Sequence, residues 1–327
     1  MRAITYDGSG DASVIRIGEV AEPAPGSDDA LVEVAYAGLN RADILERMGR
    51  YARPKDALPI PGIEYSGVVR GVGSGVRNVS AGDRVCGLVA AGAHAERLST
   101  NALTLAVIPD GMSLREAAAI PEAFITAHDA LVSRGGFTLG ETVVVHAVGS
   151  SVGLAAVALA RRGGGISIGT SRTQAKLERA AGHGLDYGFL LDDGWVAAVQ
   201  GATGGRGADL ILDFIGAPIL DANLTALAPG GRIVQIGTLG GVDARISLGL
   251  LMQKRAALHG TVLRTRALEE RIALAKHLSR ALLPLFARGD LRPEIDAVFS
   301  LAQMRAAHAH MEANKNFGKI LIEVTGD

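Results

Sequence analysis

One cysteine, Cys86, stands in the whole chain, so neither an intramolecular disulfide nor a multi-cysteine zinc site can form. It is read as a small buried residue of a strand over 84–88. An excess of charge of either sign is missing as well. The formal net charge is −1, which gives no electrostatic case for binding nucleic acid or an anionic membrane. The opening residues, MRAITYDGSGD, carry no apolar core of a secretory leader, and neither repeats nor low-complexity linkers interrupt the chain. What remains is 327 residues, 48% of them hydrophobic, enough for about two domains. A cytoplasmic enzyme is the class these absences leave.

The most informative stretch runs from Thr142 to Ala160. It reads as a buried strand, a turn of small residues through Gly149 and Ser150, and an apolar helix. Such a turn points unpaired helix N–H groups and the positive end of the helix dipole at one spot, which suits a pyrophosphate. The three glycine positions of the dinucleotide motif G-x-G-x-x-G fall on Val148, Ser150 and Gly153, so only the last keeps glycine. Two other readings fit the same residues. The stretch has no Asp, Glu, Lys or Arg, and its length approaches the ~20 residues of a membrane span. It also contains G-x-S-x-G, the nucleophile elbow of α/β-hydrolases, in which Ser151 is the nucleophile, Asp213 the acid and His259 or His308 the base.

Organisation favours the dinucleotide reading. Before residue 120, short strand-like runs over 2–6, 30–37, 67–71 and 83–88 alternate with Gly and Pro. The glycines of 71–75 are followed by turn residues, not a helix, and read as a structural turn. After Pro121 the pattern becomes β–α–β–α: helix 122–133, strand 143–145, helix 152–161, strand 166–169, helix 174–181, strand 209–213, helix 219–227, strand 232–237. This predicts an α/β protein with a doubly wound parallel sheet, its ligand at the carboxyl ends of the strands. The glycine-poor turn follows the first strand of this region, where a phosphate loop belongs. A hydrolase elbow would come after several strands. About 20 residues past the loop, an Asp or Glu would hold the ribose of NAD. The chain has Thr170, Ser171, Arg172 and Lys176 there, hydroxyls and cations that suit the 2′-phosphate of NADPH. His146, at the end of the first strand, reads as a packed histidine.

Seven stretches give a wider likeness: LNRADILERMGRY (39–51), PGIEYSGVV (61–69), AAAIPEAFITA (117–127), HAVGSSVG (146–153), LILDFIG (210–216), GGRIVQIG (230–237) and MEANKNFGKIL (311–321). Through them the chain resembles the zinc-independent quinone oxidoreductases of the medium-chain dehydrogenase/reductase superfamily, with its nearest likeness in the tumour-suppressor-induced quinone oxidoreductase subgroup. The resemblance implies a GroES-like β-rich catalytic domain over 1–120, a Rossmann domain over 121–266 and a return to the first domain over 267–327. It implies NADPH, a quinone or an enone as acceptor, and a homodimer. Zinc-dependent relatives carry a Gly-His-Glu motif and an upstream cysteine; here those positions read Gly62-Ile63-Glu64 and Asn40, a set unsuited to zinc. Glu64 is then read as a structural or supporting acid. Without a Lewis acid the acceptor must already be electrophilic.

The resemblance also assigns site residues. Tyr51, Asn40 and Asp43 are placed around the reacting groups, Tyr51 as a hydrogen-bond or proton donor. The cofactor is assigned to Thr126, to Val148, Gly149, Ser150, Ser151, Val152 and Gly153, to Thr170, Ser171, Arg172 and Lys176, and to Gly216, Gly237 and Leu263. Asn316 and Lys319 in the returning segment are expected to reach its phosphates. Leu191 stands where the family often has a tyrosine against the adenosine phosphate. Finally, 257–263 reads as an edge strand with little charge, and pairing with its own copy would cap it. A helix over 268–280 covering that edge in a monomer is the alternative.

Overall fold

The structure, a computed structural model, describes residues 1–53 and 58–326. Among these, the strands run in chain order as β1 (Arg2–Tyr6), β2 (Ile15–Glu19), β3 (Asp29–Leu39), β4 (Glu64–Val72), β5 (Arg84–Leu88), β6 (Arg97–Asn101), β7 (Leu105–Val107), β8 (Thr142–Val145), β9 (Ile166–Ser171), β10 (Tyr187–Leu190), β11 (Ala208–Asp213), β12 (Leu227–Gln235), β13 (Ala257–Gly260), β14 (Ile295–Ser300) and β15 (Lys319–Glu323). They belong to two compact units. Residues 1–125 and 263–327 form one, Thr126–Val262 the other.

The first unit is a mostly antiparallel sheet in the order β14-β15-β3-β4-β5-β7, with β6 also paired to β3 and a separate β1–β2 ribbon. β15 comes from the end of the chain and pairs antiparallel with β3, Ile320 opposite Leu39. That pairing brings Lys319 beside the helix Arg41–Arg47 that follows β3. The core is aliphatic: Val32, Val34, Ile44, Val69, Val85, Leu98 and Ile320 are fully or almost fully buried. Of the glycines of 71–75, Gly71 lies in β4 opposite Leu31 and the turn follows it: Gly73 and Gly75 donate to Asp29 O and Ser27 O, and a Cβ on Gly73 would lie 2.0 Å from Gly26 O.

The second unit is an all-parallel six-stranded sheet in the order β10-β9-β8-β11-β12-β13. The central strands β8 and β11 are buried on both faces, which is why they read as near-continuous Val, Ile and Leu. The order reverses between β9 and β11 about β8, so the crevice outside the carboxyl end of β8 is the topological switch point. The residues past β8 occupy that position. The helix Ser151–Arg162 that follows is 12 residues long, and no helix among the described residues is long and apolar enough to cross a membrane.

Candidate functional site

The turn after β8 in the nucleotide-type unit is built by backbone geometry. Ala147 takes the left-handed conformation at φ 48°, Ser150 N donates to Ala147 O, and Ser150 caps the helix by accepting from Gly153 N at 3.0 Å. The left-handed residue is thus Ala147 and not Gly149, one residue before the position where glycine was missed. Gly153 is obligatory: a Cβ there would meet Val148 O at 2.7 Å and Ala147 O at 2.9 Å. Val148 is fully buried and its N–H goes to Thr170 O, so Ser150, Ser151 and Val152, each half-buried, form the accessible rim of the turn. The first helical turn holds no acidic residue. A 12-residue helix opening on a close glycine turn fits a dinucleotide pyrophosphate.

Behind this turn runs a buried chain of side chains. Asp213 accepts from Ile215 N at 2.6 Å, Gly216 N at 3.0 Å and Asn223 Nδ2 at 2.9 Å. Asn223 has its amide N–H on Asp213, so its Oδ1 accepts from His146 Nε2 at 2.7 Å. His146 Nδ1 then accepts from the Thr170 hydroxyl, also at 2.7 Å. The proton of His146 is therefore on Nε2. Burial holds this imidazole below its ordinary value, against the pull of Asp213, and Trp195 packs edge-on against it. The chain ties together the ends of β8, β9 and β11. Gly216, at φ 86°, bridges Gly241 in the next turn, and Gly237 N donates to Asp213 O.

This arrangement corrects the hydrolase reading. Asp213 serves His146 through Asn223, and His308 faces Arg47 Nη1 at 3.3 Å inside the other unit. Thr170, expected at the 2′-phosphate, is fully buried with its proton committed to His146. Ser171 is buried and accepts from Thr173 N, Arg172 is exposed, and Lys176 is half-buried. Leu191 turns into the apolar core, its N–H on Ser171 O. Thr126 is buried within the helix Pro121–His128.

In the antiparallel unit, Asn40 stands at the N-cap position of the helix Arg41–Arg47 and its N–H donates to Asp43 at 2.7 Å. The Asn40 side chain donates to Glu64 Oε1 at 2.8 Å and accepts from Lys319 Nζ at 2.9 Å, and Lys319 is ion-paired to the same Glu64 oxygen. The other Glu64 oxygen accepts from Glu122 N at 2.9 Å. Only glycine fits at position 38, because a Cβ would lie 2.1 Å from Glu64 Oε1. Lys319 was expected to reach toward phosphates. It is instead 1% exposed, its charge spent on Glu64. Asn316 donates to Gly318 O in the turn just before it. The ammonium thus puts a positive charge between Asn40 and Glu64, two of the three positions where zinc-dependent relatives hold a metal; the third, Ile63, is a buried hydrocarbon. Among the described residues, no group of three His, Cys, Asp or Glu could hold a metal ion.

Asp43 is fully buried. Loss of hydration pushes its carboxyl up to about 7, against the Asn40 N–H that lowers it, and its second oxygen meets no hydrogen-bond partner. Beside it lies a group that sequence reasoning did not single out. Glu46 is ion-paired to both Arg53 and Arg264, and Arg264 lies over the Tyr51 ring, 5.5 Å from its centroid. Burial raises the Tyr51 phenol, which stays protonated through neutral pH. For Arg264, Glu46 and Tyr51 lie more than 200 residues away and Ala90, whose carbonyl accepts from its Nε, 174 away, and no local pattern marks them. Leu263, next to it, is buried.

Comparison with known proteins places both units. Residues 26–147 match the alcohol dehydrogenase GroES-like domain, and residues 184–322 match the zinc-binding dehydrogenase family. The chain is 33% identical to quinone oxidoreductase-like protein 2 of Mus musculus over 318 residues, 95% of this chain and 89% of that protein. The solved Escherichia coli quinone oxidoreductase, complexed with NADPH, superposes with a TM-score of 0.89 at 27% identity, covering 99% of this chain and all of that one (100%). The CurK enoyl reductase shares the fold, with a TM-score of 0.88 at 24% identity over 99% of both chains.

Proposed function

This chain belongs to the quinone oxidoreductase family of the medium-chain dehydrogenase/reductase superfamily, and from that premise we propose that it reduces quinones by hydride transfer from NADPH, with no metal ion. The observation that carries this reading is the Asn40–Lys319–Glu64 cluster. An ammonium paired to Glu64, with isoleucine at position 63, leaves no ligand set for a Lewis acid. An acceptor that is already electrophilic is therefore required, and conjugated carbonyl compounds meet that need.

When bound, NADPH supplies the hydride. The turn from Val148 to Gly153 receives the pyrophosphate at the start of the helix Ser151–Arg162. Gly216 and Gly237 line the path past the strand ends, and Thr126 and Leu263 support the nicotinamide side. Ser171, exposed Arg172 and Lys176 offer a hydroxyl and two cations to the 2′-phosphate. Asn40, locked by Lys319 and Glu64, presents a fixed amide, and Tyr51 donates a hydrogen bond to the acceptor's oxygen. Asp43 holds the Asn40 backbone.

Enones and alkenals are the second reading, since they share the conjugated carbonyl. NADPH oxidation measured against a series of quinones, enones and acyl thioester enoyls tests both. Quinone-dependent turnover that survives extensive chelation is expected. A protein that binds NADPH but oxidises it with none of these acceptors contradicts the proposal.

A further inference from the structure

Four polar side chains of the parallel unit, His146, Thr170, Asp213 and Asn223, are fully buried, where water cannot replace a lost partner. What they hold is the turn after β8. Ala147 sits in left-handed backbone at φ 48°, a conformation that a side chain keeps only where its surroundings enforce it. Both of its neighbours are held by Thr170. The Thr170 carbonyl accepts from Val148 N at 3.0 Å, and its hydroxyl donates to His146 Nδ1 at 2.7 Å. One residue of β9 thus brackets the left-handed position from both sides. His146 can accept there only while its proton stays on Nε2, and Asn223 Oδ1, 2.7 Å away, keeps it there. Asn223 is oriented in turn by Asp213 at 2.9 Å. The other Asp213 oxygen accepts from Ile215 N and Gly216 N and so shapes the turn after β11. Hydrocarbon packing has no direction and does not set a backbone angle, whereas a chain of directional bonds does.

We propose that Thr170 and His146 are positioning residues for a dinucleotide: by bracketing Ala147 they fix the backbone turn whose accessible rim, Ser150 to Val152, receives the pyrophosphate. The inference rests on the reading of this turn as the cofactor site. Both side chains are fully buried, so they act through the backbone and not by contact. Asn223 and Asp213 act one step further back, by holding the tautomer of His146. The pyrophosphate is common to NADPH and NADH, so loosening the turn weakens both by the same factor. A residue in contact with the 2′-phosphate would affect NADPH alone.

Thr170→Val tests the role. It keeps the branched shape and the carbonyl that holds Val148, and it removes the hydroxyl that holds His146. The dissociation constants of NADPH and NADH, read by fluorescence, are both expected to rise about tenfold. Thr170→Ser restores the hydroxyl and is expected to bind both within about twofold of the parent. A purely structural hydroxyl would lower the urea midpoint of Thr170→Val and leave both constants where they were. Thr170→Cys, with a weaker donor in the same place, is expected between parent and Thr170→Val, and it carries the test if the valine variant does not fold. Constants in Thr170→Val that match the parent overturn the role and leave the functional reading intact. Weakening of NADPH alone also overturns it, by making Thr170 a contact of the 2′-phosphate. A loss that Thr170→Ser does not recover overturns it as well, because the hydroxyl is then not the cause. An unaltered protein that binds neither dinucleotide overturns the functional reading, and this role with it.

Discussion

At the scale of single residues, the decisive contact is the ion pair of Lys319 with Glu64, 1% and 0% exposed in their side chains. A buried carboxylate that loses its cation pays for desolvation with nothing in return, about 3–5 kcal/mol. Lys319→Met is therefore expected to lower stability by about that amount in urea unfolding. Adding Glu64→Gln removes the stranded charge and should recover at least half of the loss. A single variant within about 1 kcal/mol of the parent would show that the pair is not a working part of the site. Position 319 also shows where sequence reading stops. Its partners Glu64 and Asn40 lie 255 and 279 residues away, so only the pairing of β15 with β3 reveals what the lysine touches. The identities of Asn40, Ile63 and Glu64 were legible as an unsuitable zinc set. The cation that takes the metal's electrostatic place was not.

At the scale of elements, strands buried on both faces were the most readable. β8, β11 and the helix Ser151–Arg162 fall within a residue or two of the expected 143–145, 209–213 and 152–161, because their apolar runs have a single physical explanation. β10 escaped notice: Tyr187, Gly188 and Leu190 are exposed at a sheet edge, so no buried face patterned them. The helix Trp195–Ala202 that packs on the sheet was missed for a similar reason, its short segment having few polar residues to set a period. At the opposite edge, β13 carries Leu258 at 44% exposure, near Val262 at 46% and Met252 at 76%. An uncovered edge beside exposed hydrocarbon favours pairing with a second copy of the chain. Light scattering at micromolar concentration is expected to report twice the chain mass. Leu258→Lys with Val262→Lys should shift the population toward monomer, and a clean monomer in the unaltered protein would refute the pairing.

At the scale of the whole molecule, the chain divides into two compact units. The parallel unit offers a helix start and a glycine-tight turn for phosphates, backed by the Thr170–His146–Asn223–Asp213 chain. The antiparallel unit offers a fixed amide at Asn40, held by Lys319 and Glu64. The central claim is that a nicotinamide dinucleotide binds at the turn after β8 and that its 2′-phosphate is read by Ser171, Arg172 and Lys176. Parallel titrations of NADPH and NADH by fluorescence or calorimetry test it most directly. NADPH is predicted to bind at least about tenfold more tightly, the worth of one charge-assisted hydrogen bond. Arg172→Glu should narrow or reverse that gap. Gly153→Ala, whose Cβ would lie 2.7 Å from Val148 O, should weaken both cofactors together. Equal affinities in the unaltered protein, or a Gly153→Ala protein that binds both as before, would contradict the account.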